Sequence, residues 1–300
     1  MPDLIAPIVG RFAPSPSGPL HFGSLLAAVA SFLHAKSRGG QWLLRIEDID
    51  QPRTQPGAAD AIMRDLAACG LHWDGPVWYQ SERLERYQQI FDQLKAAGLI
   101  YGCDCSRKQV ATMGGHYNGH CRARQLEPVH GKPLAYRLKS SEVQTNFYDV
   151  LQGPQQIPAP FCQEDYIIKR RDSLFAYQLV VVIDDIDQQV SEVIRGADLL
   201  DMTTRQQRLF QLLDAKVPAF GHIPLIAAKP GFKLSKQNHA PAIHLQEPGK
   251  LLQQALMVLG QPCPDELNGA PVDDILRWAI AHWSAVAVPK VSEIVLNPFN

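Results

Sequence analysis

The chain has 300 residues, 46% hydrophobic and 20% charged, a composition that supports a buried core and excludes a disordered or fibrous protein. Its 29 basic and 30 acidic side chains leave a formal net charge of −1, which excludes a generally basic nucleic-acid binder; an RNA partner would need a local patch. Met1–Pro2–Asp3 lacks the basic start and apolar core of a signal peptide, and no run approaches the length of a membrane span, so a cytoplasmic protein with no membrane partner is expected.

The first element is a short apolar run, Ile8 and Val9, that reads as a strand. After it come Arg11–Phe12–Ala13–Pro14–Ser15–Pro16–Ser17–Gly18–Pro19–Leu20–His21–Phe22–Gly23, and then Ser24–Leu33, which reads as a helix. Strand, Pro/Gly-rich turn and helix start make a geometry suited to phosphate, because the first N–H groups of a helix lack intrahelical acceptors and carry partial positive charge. Read alone, the stretch is equally an ordinary connection. Gly39–Gly40 ends the helical pattern and Gln41–Ile46 reads as a second strand. It runs into Arg45–Ile46–Glu47–Asp48–Ile49–Asp50, acidic residues at a carboxyl end, where open α/β sheets bind ligands. Gly57–Cys69 and Ser81–Ala97 read as amphipathic helices, the second with Ser81 as its N-cap and Gly98 just past its end. This alternation predicts an α/β fold with a doubly wound parallel sheet.

The texture changes at Leu99. From there to about Phe161 the chain is rich in Gly, Pro, His and Cys, with short strand-like runs at Leu134–Leu138 and Asn146–Val150. Three of the six cysteines cluster here, as Cys103–x–Cys105 and Cys121, which in a reducing compartment reads as a metal site rather than a disulfide framework. Three thiolates and a fourth donor form a closed, structural zinc tetrahedron. The fourth donor is Tyr117, His116 or His120, imidazole being the commoner ligand.

From Tyr166 the α/β pattern resumes with Tyr166–Arg170 and the apolar run Phe175–Ile183. Asp184–Asp185–Ile186–Asp187 offers acids for a metal or ligand, but a polar turn is the better reading. Val190–Ile194 reads as a strand leading into Arg195–Gly196–Ala197–Asp198, and Leu199–Leu213 as a helix whose Arg205 and Arg208 face solvent or RNA. Ile223–Ala227 is a last strand. Beyond it, Lys229–Pro230–Gly231–Phe232–Lys233–Leu234–Ser235–Lys236–Gln237 suits a phosphate clamp, since lysine carries a point charge on a flexible stem. Helices are expected at Gly249–Leu259 and Val272–Trp283. Residues 1–98 and 166–228 are thus expected to form a split Rossmann-like catalytic domain. An insertion with the zinc site would span 99–165, and the lysine loop with a helical, stem-contact-like region would span 229–300.

Taken together, four stretches resemble class I aminoacyl-tRNA synthetases of the glutamyl type. Residues 11–24 are similar to the HIGH signature and Lys233–Gln237 to the KMSKS loop. Arg45–Asp50 and Ile194–Asp198 are similar to two further glutamyl segments, in the same order, so that the resemblance covers about residues 7–240. It implies ATP and L-glutamate as substrates, with Mg²⁺ accompanying ATP. Carried over, His21, Lys233 and Lys236 are catalytic, and His21, Gly23, Ser24 and Lys236 hold ATP. The glutamate pocket comprises Arg11, Ala13, Ser15, Glu47, Tyr177 and Arg195. Two carboxylates and one ammonium want two cations and one anion, which Arg11, Arg195 and Glu47 provide. Ser24 stands where many class I enzymes have a second histidine.

The sequence stops roughly sixty residues after Gln237, with no anticodon-binding domain of the ordinary glutamyl kind. That resembles the truncated glutamyl-queuosine branch of the family, whose members activate glutamate without tRNA and attach it to the queuosine base in the anticodon of tRNA(Asp). The alternatives are a truncated glutamyl enzyme charging a tRNA 3′ end and an inactive, synthetase-like tRNA-binding module. The branch also holds zinc on Cys-x-Cys, Tyr and Cys, which moves the fourth ligand to Tyr117, beside Cys103, Cys105 and Cys121. A monomer is expected.

Overall fold

The computed structural model describes residues 7–129, 132–140, 144–229, 232–233, 243 and 245–296. Lys236, with the rest of the lysine loop after Lys233, lies outside the described residues.

Strand β1 (Val9–Phe12) runs parallel to β2 (Gln41–Ile46), with Val9 opposite Gln41 and Phe12 opposite Leu44, and β2 runs parallel to the short β3 (Trp78–Tyr79). The crossover between β1 and β2 is helix α1 (Phe22–Lys36). Ten of its residues are buried, so it is apolar on nearly every side and belongs inside the domain. Beneath it Trp42 stacks on Phe12, meets Phe32 edge-on at 5.2 Å, and satisfies its indole N–H on Ser31 Oγ at 2.9 Å. Helix α2 (Ala58–Ala68) buries Ile62 and Leu66 in the same core.

Helix α3 (Leu84–Ala96) starts after a 3-10 turn, so Ser81 does not cap it as the sequence suggested. Ser81 instead gives its N–H and hydroxyl to Asp48, at 2.9 and 2.6 Å, pinning the acidic stretch after β2. Next come β4 (Ile100–Cys103), α4 (Arg107–Thr112) and β5 (Ala135–Leu138), with β4 and β5 antiparallel. The hairpin of β6 (Asn146–Asp149) and β7 (Gly153–Gln156), α5 (Ala159–Gln163) and β8 (Ile167–Lys169) follow, β8 completing the β4–β5 sheet.

Helix α6 (Tyr177–Asp187) absorbs the acids expected in a turn: Asp184 and Asp185 are buried in its last turns because they meet buried arginines. Strand β9 (Glu192–Gly196), α7 (Thr203–Leu212) and β10 (Ala219–Ile223) follow. Strands β9 and β10 are parallel, and Phe220 of β10 pairs with Asp149 of β6. Val9 donates to Ser191 Oγ and Ser191 N–H donates to Val9 O, both at 2.9 Å, seating β9 beside β1. Arg205 of α7 is buried under Phe161 and bonds Glu164, rather than facing solvent or RNA.

Strand β11 (Leu225–Lys229) pairs with β12 (Phe232–Lys233) and, near the end of the chain, with β13 (Glu293–Val295). Between them α8 (Pro248–Val258) and α9 (Val272–His282) place Leu252, Leu256, Ile275 and Leu276 in the core beneath α1. Among the described residues no helix is long and apolar enough to cross a membrane.

Candidate active site and metal centre

Two adjoining cavities open beyond the carboxyl ends of β1, β2 and β9. The inner one, about 280 Å³, is bordered by Arg11, Ala13, Ser15, His21, Gly23, Ser24, Tyr177 and Arg195. The outer one, about 800 Å³, is bordered by Glu47, Asp50, Arg53 and Arg170, and shares Ser15, Ser17, Tyr177 and Asp198 with the inner. In open α/β sheets this end collects ligands because loops leave the strands there and helix N-termini point at it.

The N-terminal wall is built by the Pro/Gly-rich turn. Gly18, at φ +143°, takes a backbone conformation that L side chains rarely adopt, and lets the chain turn toward α1. His21 is the N-cap of α1. Its Nδ1 accepts from Ser24 N–H at 3.3 Å and its Nε2 lies 2.9 Å from Ser24 Oγ, so histidine and serine are coupled at the helix start.

The cations differ in their surroundings. Arg11 is paired with Asp185, Nε donating to Oδ1 at 3.2 Å. Arg195 is buried, and its bonds go to His222 Nε2 at 3.0 Å, Gln206 Oε1 at 2.6 Å, Leu199 O at 3.0 Å and Thr203 Oγ1 at 2.9 Å. Among the described residues it makes no ion pair with a carboxylate. Burial pulls its pKa below the usual guanidinium value, with Tyr177 and Asp185 opposing it only in part, so an incoming anion would relieve an unfavourable buried charge.

Glu47 is the complementary acid. Its side chain is 8% exposed, Arg45 Nη2 is 3.8 Å from its Oε1, and that oxygen has no hydrogen-bond partner. Burial, opposed by Arg45 and Arg11, pushes its pKa up to about 7. Tyr177, the first residue of α6, borders both cavities, the inner one together with Arg195, its phenol pushed up by burial and then by Glu47. A guanidinium without a counter-ion, an acid without a donor and a phenol between them suit a small zwitterion with an extra carboxylate.

The thiols of Cys103, Cys105 and Cys121 lie within 4.8 Å of one another. Tyr117 is buried among them and its hydroxyl oxygen accepts from Cys121 N–H at 2.7 Å. A tetrahedral zinc with sulfur ligands at about 2.3 Å spaces them by roughly 3.8 Å, so the donor set fits such an ion with a small contraction. Arg137 covers the Tyr117 ring at 3.7 Å and donates to Cys103 Sγ at 3.3 Å. Burial disfavours the Cys103 thiolate, but Arg137, the Cys105 backbone N–H and Tyr117 together outweigh it and the thiol sits below its ordinary value. His116 and His120 are exposed.

A family model described as tRNA synthetases class I (E and Q), catalytic domain, matches residues 7–257. Among curated relatives, a glutamyl-Q tRNA(Asp) synthetase of Vibrio vulnificus (strain YJ016) is 51% identical over 97% of this chain and 95% of its own length. The chain belongs to the glutamyl-Q tRNA(Asp) synthetase family. Another such relative, from Shewanella amazonensis, is 50% identical over 97% of this chain and 98% of its own. A solved glutamate tRNA ligase from Elizabethkingia meningosepticum, in complex with its amino acid, superimposes with a TM-score of 0.79 at 24% identity. It is matched over 95% of this chain and 66% of its own length, and shares the fold.

Of the residues expected from sequence, Arg11, Ala13, Ser15, His21, Gly23, Ser24, Tyr177 and Arg195 border one cavity, and Glu47 the next. The backbone of Lys233 pairs with Ala227, one residue past the cavity-lining Ile226. Two polar residues beneath the site were not singled out, Asp149 and His222, both buried; Asp185, read as part of a polar turn, is buried there too. For His222 the available signal was a polar side chain in an otherwise apolar strand run.

Proposed function

We propose that this member of the family activates L-glutamate with ATP, without needing tRNA, and transfers the glutamyl group to the queuosine base in the anticodon of tRNA(Asp). The observation that carries the first half is Arg195, a buried guanidinium at the cavity wall with only neutral partners. The second half rests on the relatives, which are named glutamyl-Q tRNA(Asp) synthetase over nearly their whole length.

Arg195 and Arg11 bind the two carboxylates, Glu47 the ammonium, and Tyr177 adds a hydroxyl contact, with Ala13 and Ser15 as the wall. One carboxylate oxygen attacks the α-phosphorus of ATP. The new O–P bond gives glutamyl-adenylate, and the bond to the leaving pyrophosphate breaks. No covalent enzyme intermediate is needed, so this chain contributes position and charge. His21 and the first N–H groups of α1, with Gly23 and Ser24, hold the phosphates. Lys233 and Lys236 neutralise charge as pyrophosphate departs, and Mg²⁺ accompanies the nucleotide, held mainly by its phosphate oxygens. The outer cavity then admits the acceptor nucleoside, whose hydroxyl attacks the glutamyl carbonyl and releases AMP.

Zinc, held by Cys103, Cys105, Cys121 and Tyr117, is structural: four protein donors leave no open position for substrate. Residues 1–98 and 166–228 form the catalytic domain, 99–165 the zinc-bearing insertion, and 229–300 the lysine loop with a helical region. The enzyme works as a cytoplasmic monomer.

Pyrophosphate exchange with each of the twenty amino acids, without tRNA, tests activation: glutamate alone should support it. Labelled glutamate is then offered to tRNA with and without queuosine. Label on both alike, or label lost with the acceptor end on nuclease trimming, overturns the acceptor assignment in favour of 3′-end charging.

A further inference from the structure

Asp149 and His222 are both wholly buried, at the ends of neighbouring strands β6 and β10. His222 is also the cross-strand partner of Arg195 on β9. His222 Nδ1 lies 2.5 Å from Asp149 Oδ2, and its Nε2 lies 3.0 Å from Arg195 Nε. The proton positions follow. A guanidinium Nε–H can only donate, so His222 Nε2 must present its lone pair. A carboxylate can only accept, so Nδ1 must carry the hydrogen. The ring is a neutral imidazole in one fixed tautomer. Burial, which pushes the His222 pKa below its ordinary value, agrees with that state.

We propose that Asp149 and His222 are positioning residues that set the direction of the Arg195 fork, and through it the affinity for the substrate's carboxylate. A neutral imidazole does this in a way an acid could not: it fixes Nε without pairing the positive charge of Arg195 directly, which leaves that charge for the ligand. Asp149 selects the tautomer. Its Oδ1 is already occupied by the N–H groups of Leu151, Gln152 and His222, at 2.9, 2.8 and 3.2 Å, so only Oδ2 faces the ring. In Asp149→Asn the amide oxygen stays with those N–H groups and the NH₂ turns to Nδ1. The ring must then carry its hydrogen on Nε2, where it opposes Arg195 Nε–H. An isosteric change two residues removed from the ligand would thus misdirect the arginine.

The inference rests on the assignment of Arg195 to a glutamate carboxylate, and the experiment separates the two. KM for glutamate and for ATP are measured by pyrophosphate exchange on the full chain, with melting temperature as the folding control. Asp149→Asn and His222→Leu should each raise KM for glutamate by ~10-fold or more with KM for ATP unchanged, the loss of a hydrogen bond to a charged group. His222→Gln, whose amide oxygen reaches the Nε2 position, should recover most of it. The inference is overturned if Asp149→Asn and His222→Leu both stay near the wild-type KM for glutamate. It is equally overturned if both KM values rise together, or if His222→Gln is as poor as His222→Leu. Arg195→Gln is the control: if it leaves KM for glutamate unchanged, the carboxylate assignment fails and this inference with it. If Arg195→Gln is impaired while Asp149→Asn and His222→Leu behave as wild type, only the positioning role falls. Should His222→Leu not fold, Asp149→Asn carries the test.

Discussion

Arg11 closes on Asp185, with Nε donating to Oδ1 at 3.2 Å and Nη2 to Oδ2 at 3.5 Å. The same Oδ1 accepts from Arg45 Nη2 at 2.7 Å, so one carboxylate from α6 holds a guanidinium from each of the first two strands. Both arginines and the acid are buried. Asp185→Ala would leave two buried cations short of a partner, and should lower the unfolding free energy by ~3–5 kcal/mol. Denaturant unfolding of the variant checks this; an unchanged midpoint would show that water replaces the acid.

Glu47 gives the site a pH dependence with a defined sign. Its pKa in the empty protein is pushed up from 4.5 to about 7 by burial, and binding an ammonium requires the ionised form. KM for glutamate should therefore fall as pH rises through about 7, with a proton released on binding. Because the folded state holds this proton more tightly than the unfolded chain does, Glu47 weakens the fold as pH rises from 4.5 toward 7. Glu47→Gln should raise KM, flatten its pH profile and remove that stability slope. Calorimetry in two buffers of different ionisation heat counts the proton.

For the thiol cluster, chelation or Cys105→Ser should lower the melting temperature, while the fraction that stays folded exchanges pyrophosphate at close to the normal rate. The site ties β4 to the segment after α4 and shares no residue with either cavity. A retained melting temperature with abolished exchange would refute a structural role.

Gly260 offers a test of how the C-terminal helices are locked. At φ +71° it sits where L residues are strained, and a Cβ there would lie 2.1 Å from Ala287 O. Gly260→Ala should cost ~2 kcal/mol or more from backbone strain and displacement of that carbonyl. Thermal melts measure the loss, and KM for glutamate should be unchanged because the contact joins α8 to the segment after α9.

Features written in local pattern were legible in the sequence. Strand β2 has the expected bounds, Gln41–Ile46, because its apolar run is closed by Gly39–Gly40 and by acids. Arg11, Ala13, Ser15, His21, Gly23, Ser24 and Arg195, on the inner cavity, were legible because they fall in contiguous motifs, whereas Tyr177 came only with the family resemblance. What depended on distant partners was not. Ser81 has the chemistry of an N-cap, but Asp48, on another element, claims its hydroxyl. Asp184 and Asp185 resemble a solvated turn until Arg11, Arg45, Gln80 and Tyr87 close around them. Asp149 and His222 matter only once β6 and β10 are adjacent, and no spacing announces that.

The seam between β1 and β9 spans 182 residues of chain. During synthesis β1 and β2 can pair early, but the other side of β1 stays an open strand edge until Ser191 has left the ribosome. The inner cavity cannot be complete until late, since Arg11 arrives with the first strand, Arg195 with β9 and Ile226 with β11. A nascent chain stalled before β9 exposes an apolar edge suited to mispairing, which makes this interval the one in which a chaperone has most to shield.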